Sequence, residues 1–379
     1  MSRVFITGTG LYTPPQAISN EELVAAYNSY ARLLNESSAG AIARGERAAA
    51  ELSSPAFIEK ASGIRSRHVL DAAGVLDPER MRPRLARRGE DQLSIQAEMS
   101  VIAAREALQR ARRTPADVDA VVVACSNLQR PYPAVAIEVQ QALGIDGFAY
   151  DMNVACSSAT FGIQNAADSV ARGHARGVLV INPEICSGHL NFRDRDSHFI
   201  FGDACTALLV EAAPAPRADA FEILGTRLRT VFSNNIRNDF GFLNPAEQPP
   251  RQADELLFRQ NGRRVFREVV PMVETLILAH LDALGVGAST LRRLWLHQAN
   301  LNMNLLIGKR VLGHEPSQDE APVILDEYAN TSSAGSIIAF HQHHDDLASG
   351  DTGVICSFGA GYSVGSVVVR RHAGDAAGE

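Results

Sequence analysis

The chain alternates short apolar runs of strand length with longer stretches whose apolar residues recur at helical spacing. Ala120-Val-Val-Val-Ala124 is the clearest run, continuous in the manner of a strand buried on both faces. Residues 4–7, 149–154, 178–181, 206–210, 291–296, 323–326, 354–358 and 366–370 read as further strands. Over 93–111, Ile95, Met99, Ile102, Ala103 and Leu108 recur at helical spacing and predict a long helix. Helices are also predicted over 134–143, 156–172, 255–284, 304–312 and 332–347, and from Asn20, read as an N-cap. Residues 29–60 favour helix without a strong core stripe. Residues 211–219, rich in Ala and Pro, read as a linker, and the tail from His372 as mobile.

This alternation predicts an α/β fold, and the order of elements recurs in the second half. Residues 151–159 can be laid on 326–334, with Asp, Ser-Ser and Ala coinciding; residues 119–127, ending in Asn, parallel 292–300. The expected architecture is two similar halves, 1–215 and 220–379, each a sheet covered by helices, with insertions around 29–60 and 70–92.

Composition narrows the class. With 46% hydrophobic and 21% charged residues, the 379-residue chain has a globular profile, not that of a disordered chain or a coiled coil. No apolar run approaches the roughly 18 residues of a membrane span. The first eight residues read as a strand entering a glycine turn, too short for a signal-peptide core. A net charge of −7 argues against bulk nucleic-acid binding. Arg80, Arg82, Arg84, Arg87 and Arg88 form a local basic patch, read first as a solvated loop around Pro83 and second as a dock for an anionic partner. Five cysteines without CxxC spacing suggest neither a disulfide framework nor a zinc ribbon, which fits a reducing cytoplasm.

Four features could bear chemistry. Cys156 opens a helix after a strand, where backbone N–H groups and the helix dipole would favour the thiolate; a small core cysteine is the alternative. His297 leaves a strand at the head of His-Gln-Ala-Asn, and Asn330 occupies the repeat position matching Ala155, beside Cys156. Phe358-Gly-Ala-Gly-Tyr-Ser-Val-Gly joins two strands and lacks GxGxxG spacing, so dinucleotide binding is rejected. It reads as a hairpin, or as the source of an oxyanion-hole N–H. His341, His343 and His344 project in different directions from a helix end, so no metal is expected.

Together these segments resemble β-ketoacyl-acyl carrier protein synthase III of the thiolase superfamily. The matching stretches are Gly8-Thr-Gly-Leu-Tyr-Thr-Pro, Ser62-Gly-Ile-Arg-Ser-Arg-His, Asn153-Val-Ala-Cys-Ser-Ser, Phe201-Gly-Asp, Asn261-Gly-Arg-Arg-Val-Phe, His297-Gln-Ala-Asn, Tyr328-Ala-Asn-Thr-Ser-Ser-Ala and the Phe358 segment. The resemblance implies a thiolase-like fold with a layered α-β-α-β-α core. It implies a Cys156-His297-Asn330 triad, an oxyanion hole from the N–H groups of Cys156 and Gly359, and no cofactor or metal. It further implies an acyl pocket touched by Phe358 and by Tyr132 of a partner subunit. Carrier-protein docking would fall to Arg267, Lys309 and Arg310. The implied reaction joins an acyl-CoA to malonyl-acyl carrier protein with loss of CO2, in a cytoplasmic homodimer that binds neither nucleic acid nor membrane.

Three positions depart from the family. Phe57 and Ala61 stand where a tryptophan and an arginine often grip the CoA adenine, and Asn302 where an arginine often follows His-Gln-Ala-Asn-Leu. With the long segment between Asn20 and Phe57, these favour a specialised enzyme acting on short or medium acyl chains. The alternatives are acyl transfer to a hydroxyl or amine, and a non-catalytic partner subunit.

Overall fold

The computed structural model describes residues 3–212 and 220–372. Nine strands form its main sheet: β1 (Phe5–Tyr12), β2 (Ala120–Ala124), β3 (Phe148–Met152), β4 (Gly177–Ile185), β5 (Asp203–Glu211), β6 (Ala220–Ser233), β7 (Leu291–Leu296), β8 (Thr352–Gly359) and β9 (Gly361–His372). Their order is β7-β8-β9-β6-β1-β5-β4-β2-β3. The two sides of the sheet match in sense. In β1-β5-β4-β2 the pairs run antiparallel, antiparallel and parallel, and β6-β9-β8-β7 repeats that sequence. Phe5↔Glu222 and Ile6↔Phe221 join β1 to β6.

The half-sheets stack as layers. Between them lie α5 (Ser158–Ala171) and α8 (Gly335–Gln342), following α1 (Asn20–Ser37), α2 (Pro55–Ser62), α3 (Ile95–Ala111), α4 (Val135–Leu143), α6 (Gly262–Leu284) and α7 (Leu301–Leu312) in chain order. Ile163 and Val170 of α5 and Ile337 and Phe340 of α8 share one core with Val122, Val180, Leu208, Ile355 and Val367. α3 and α4 cover the outer face of the first half-sheet, α6 and α7 that of the second. This is the expected α-β-α-β-α order. Strands such as β2 are wholly buried because helices cover both faces.

Several local expectations change. The cap of α1 is Ser19, which forms a capping box with Glu22. Asn20 is instead buried, donating to the Ile64 carbonyl (2.7 Å) and accepting from the fully buried Arg67 (2.7 Å). The helix expected over 255–284 begins only at Gly262, and the strand β6 was not anticipated. Residues 323–326 form no strand. There the Gln298 side chain replaces a neighbouring strand, accepting from Ile324 N (3.1 Å) and donating to the Pro322 carbonyl (3.3 Å). Most of the predicted linker and the tail beyond His372 lie outside the described residues. In the arginine patch, Arg84 pairs with Asp77 at 2.6 Å, Arg88 pairs with Glu98, and Arg80 donates to the carbonyls of Arg82 and Pro83. Among the described residues, no helix is long and apolar enough to cross a membrane.

Candidate active site

β3 runs out at Met152 into a tight turn, and a single 3-10 turn (Ala155–Ser157) leads into α5. Asn153 Oδ1 accepts from Ala155 N at 2.9 Å and shapes that turn, with Ala155 left-handed at φ 46°. The second half repeats the device. A 3-10 turn (Ser332–Ala334) leads into α8, and Asn330 Oδ1 accepts from Ser332 N at 2.8 Å, with Ser332 at φ 51°. Asn330 is therefore the counterpart of Asn153, not of Ala155. Because its oxygen is occupied, its amide NH2 is the end left for a substrate.

Cys156, His297 and Asn330 line one cavity of about 750 Å³, together with Phe358 and Gly359. The Ser332 hydroxyl lies 3.4 Å from Cys156 Sγ. Gly359 presses on the other side: a Cβ there would stand 2.6 Å from Cys156 Cβ and 2.9 Å from Sγ. Phe358 is buried, with its ring edge-on to His297 at 5.1 Å between centroids, so it braces the imidazole. The backbone N–H of His297 donates to the Cys356 carbonyl at 2.8 Å and fixes the chain at the end of β7.

The electrostatics differ from the sequence expectation for Cys156. Burial pushes its thiol up to about 11, outweighing the hydrogen bonds from Ser332 and from the backbone of Ala360 and Cys156 itself. The resting residue is a thiol, so attack requires a base. Burial pushes His297 down to about 4, against a backbone hydrogen bond at Ser332, which leaves a neutral imidazole. The amides bearing on the sulfur are those of Cys156 and Ala360, one residue beyond the glycine expected from sequence.

Other expected residues lie elsewhere. Tyr132 is 81% exposed and does not line the cavity of its own chain. Arg267 on α6 is exposed beside Glu268, while Lys309 and Arg310 on α7 pair with Glu315 (2.5 Å) and Glu274 (2.9 Å). Phe57, Ala61 and Asn302 do line the cavity, and the Arg195 guanidinium stacks 4.2 Å from the Phe57 ring centroid. His341 is drawn to Thr9 Oγ1 at 2.8 Å while His344 packs on Phe340, so the histidines diverge. Sequence reasoning missed Ser332, Ala360 and Glu184. The signal for Glu184 was a charged residue inside an otherwise apolar run, which burial makes costly unless it is bonded.

Comparison with known proteins gives the family. The profile of 3-oxoacyl-[acyl-carrier-protein] synthase III matches residues 150–231, and that of its C-terminal part residues 281–371. The beta-ketodecanoyl-[acyl-carrier-protein] synthase of Pseudomonas aeruginosa is 61% identical over 347 residues, covering 91% of this chain and 99% of its own. A beta-ketoacyl-[acyl-carrier-protein] synthase III of Methylococcus capsulatus is 27% identical over 96% of this chain and 98% of its own. In fold, the chain resembles the crystal structure of 3-oxoacyl-(acyl carrier protein) synthase III from Pseudomonas aeruginosa, with TM-score 0.75, 23% identity and coverage of 98% and 99%. The priming beta-ketosynthase of the R1128 polyketide pathway gives 0.76 at 23% identity, over 98% of this chain and 97% of that one. Identity of 61% across nearly the full length of both proteins places the chain in the β-ketoacyl-acyl carrier protein synthase III family, condensing enzymes of the thiolase superfamily.

Proposed function

We propose that the chain joins a medium-chain acyl-CoA to malonyl-acyl carrier protein with loss of CO2, giving a 3-oxoacyl product. The convergence of Cys156, His297 and Asn330 on one cavity carries this reading. His297 takes the thiol proton as Cys156 Sγ attacks the acyl thioester. The tetrahedral oxyanion lies toward the N–H groups of Cys156 and the Gly359–Ala360 backbone. CoA leaves as its thiol with the proton returned by His297, and the acyl group stays on sulfur. When the malonyl thioester loses CO2, negative charge gathers on its carbonyl oxygen. There His297 N–H and the Asn330 amide NH2 donate. The resulting carbanion attacks the acyl-cysteine and expels the thiolate. Simple acyl transfer to a hydroxyl or amine leaves Asn330 without a task, and an intact triad has no role in a non-catalytic subunit.

A donor of about eight carbons is the specific expectation, because the relative at 61% identity is named for a ketodecanoyl product and condensation adds two carbons. Arg267, Lys309 and Arg310, on adjacent helices, are the proposed cationic face for the carrier protein. We read the working unit as a homodimer of two-half subunits (1–215 and 220–379). β3 is an edge strand with Phe148 and Tyr150 part-exposed, and exposed Tyr132 lies in the loop before α4, the helix preceding that strand. A cytoplasmic site fits five free, buried cysteines. The test is mass spectrometry of the intact protein with acyl-CoAs of two to twelve carbons: an acyl adduct on Cys156, discharged by malonyl-acyl carrier protein, is expected. Adducts that malonyl-acyl carrier protein leaves in place would overturn the condensing reading.

A further inference from the structure

Glu184 lies near the end of β4, buried to 1% exposure, and it serves both turns of the site at once. One carboxylate oxygen accepts from Ser126 N (2.9 Å), from Ser333 N (3.1 Å) and from the Ser333 hydroxyl. The other accepts from Ser126 Oγ at 2.5 Å. Each serine leads onward. Ser333 follows Ser332, whose hydroxyl meets Cys156 Sγ and whose N–H meets Asn330. The Ser126 carbonyl accepts from Asn153 Nδ2 at 2.8 Å, and Asn153 Oδ1 holds Ala155 N, one residue before the nucleophile. The two turns come from different halves of the chain, and each contains a left-handed non-glycine residue. Such a conformation persists only where its surroundings over-determine it.

We infer that Glu184 is a positioning residue, tying the Cys156 turn to the Asn330 turn so that the nucleophile and the enolate-binding amide keep a fixed separation. The inference rests on the condensing reading, since only that chemistry uses both turns in sequence. Burial pushes the Glu184 carboxyl up to about 7, opposed by the hydrogen bonds from Ser126 and Ser333; the Cys186 thiol also donates to it, at 3.9 Å. The titratable groups that feel its charge are the thiols of Cys125, Cys156, Cys186 and Cys205. Asp203 lies beyond Cys186.

The test separates the two arms. Cys156 alkylation by iodoacetamide reads the nucleophile turn without any acyl donor, and CO2 release from malonyl-acyl carrier protein reads the Asn330 turn. Glu184→Ala removes the shared acceptor, so both rates are expected to fall about tenfold or more. Glu184→Gln keeps the oxygen that meets both amides, so it is expected to restore both rates to within about threefold. Its lost charge should also move the alkylation profile to lower pH. Asn153→Ala, at an exposed side chain, cuts one arm only: alkylation changes while CO2 release stays. If Glu184→Ala does not fold, the Asn153→Ala split decides. Equal rates in Glu184→Ala and Glu184→Gln, or an Asn153→Ala protein unchanged in alkylation, would overturn the inference. Failure of the wild type to condense would count against the proposed function alone, because alkylation is read independently.

Discussion

Gly359→Ala tests the contact between the glycine hairpin and Cys156, the proposed nucleophile. The added Cβ would sit 2.6 Å from Cys156 Cβ and 2.9 Å from its sulfur. Ordinary carbon contacts lie near 3.5–4.0 Å, so the two backbones must part by about 1 Å. The φ of Gly359 is outside the left-handed range, so the backbone itself accepts alanine and the clash is the whole perturbation. Overpacking of this kind costs about 1–3 kcal/mol of stability. The larger effect is on rate. A displacement of about 1 Å at a reacting atom costs about 10²-fold, equivalent to roughly 2.7 kcal/mol of barrier. The assay is the time course of acyl-adduct formation on the intact protein by mass spectrometry, with thermal unfolding measured in parallel. Gly241→Ala is the control, since nothing lies within 4 Å of its Cβ. A Gly359→Ala protein that loads acyl groups at the wild-type rate would refute the reasoning that this backbone abuts the sulfur.

Further outcomes separate the roles within the proposed triad. Cys156→Ala should lose acyl loading entirely yet still release CO2 from malonyl-acyl carrier protein, whereas Asn330→Ala should load and fail to decarboxylate; radiometric CO2 release beside mass spectrometry distinguishes them. The buried thiol of Cys156 deprotonates only as pH rises toward about 11, so iodoacetamide alkylation should climb about tenfold per pH unit from 6 to 9. A plateau centred near neutrality would instead show a resting thiolate paired with imidazolium. Gly202→Ala places a Cβ 2.3 Å from the Tyr328 carbonyl and opens the bridge between Phe201 and Asn330, so a loss of about 1–3 kcal/mol should appear in denaturant titration, with decarboxylation impaired more than loading.

Much of this site was legible because its chemistry and its secondary structure share the same residues. Cys156 and His297 follow the ends of strands that apolar patterning reveals, the two similar halves follow from the repeat, and the α-β-α-β-α order and the place of Asn330 come from the family resemblance. Three kinds of feature were hidden. β6 is partly exposed, with Arg227 and Arg229 at the surface, so it lacks the continuous apolar run of β2. At 323–326 the residues have strand character, but Gln298 meets the backbone bonds that a strand would have needed. The fate of Cys156 depended on its burial, to which the Gly359 backbone, far away in sequence, is pressed, and which no local helix-dipole argument contains. Residue-level pairing failed for a similar reason. Sequence matching set Asn330 against Ala155, whereas shared hydrogen-bond geometry sets it against Asn153.

The most direct test of the account is to load the wild-type protein with octanoyl-CoA, confirm the octanoyl adduct on Cys156, and add malonyl-acyl carrier protein while following the adduct and CO2. The account predicts loss of the adduct, one CO2 per acyl group, and 3-oxodecanoyl-acyl carrier protein as the product. An adduct that persists while the carrier protein remains malonylated would contradict it.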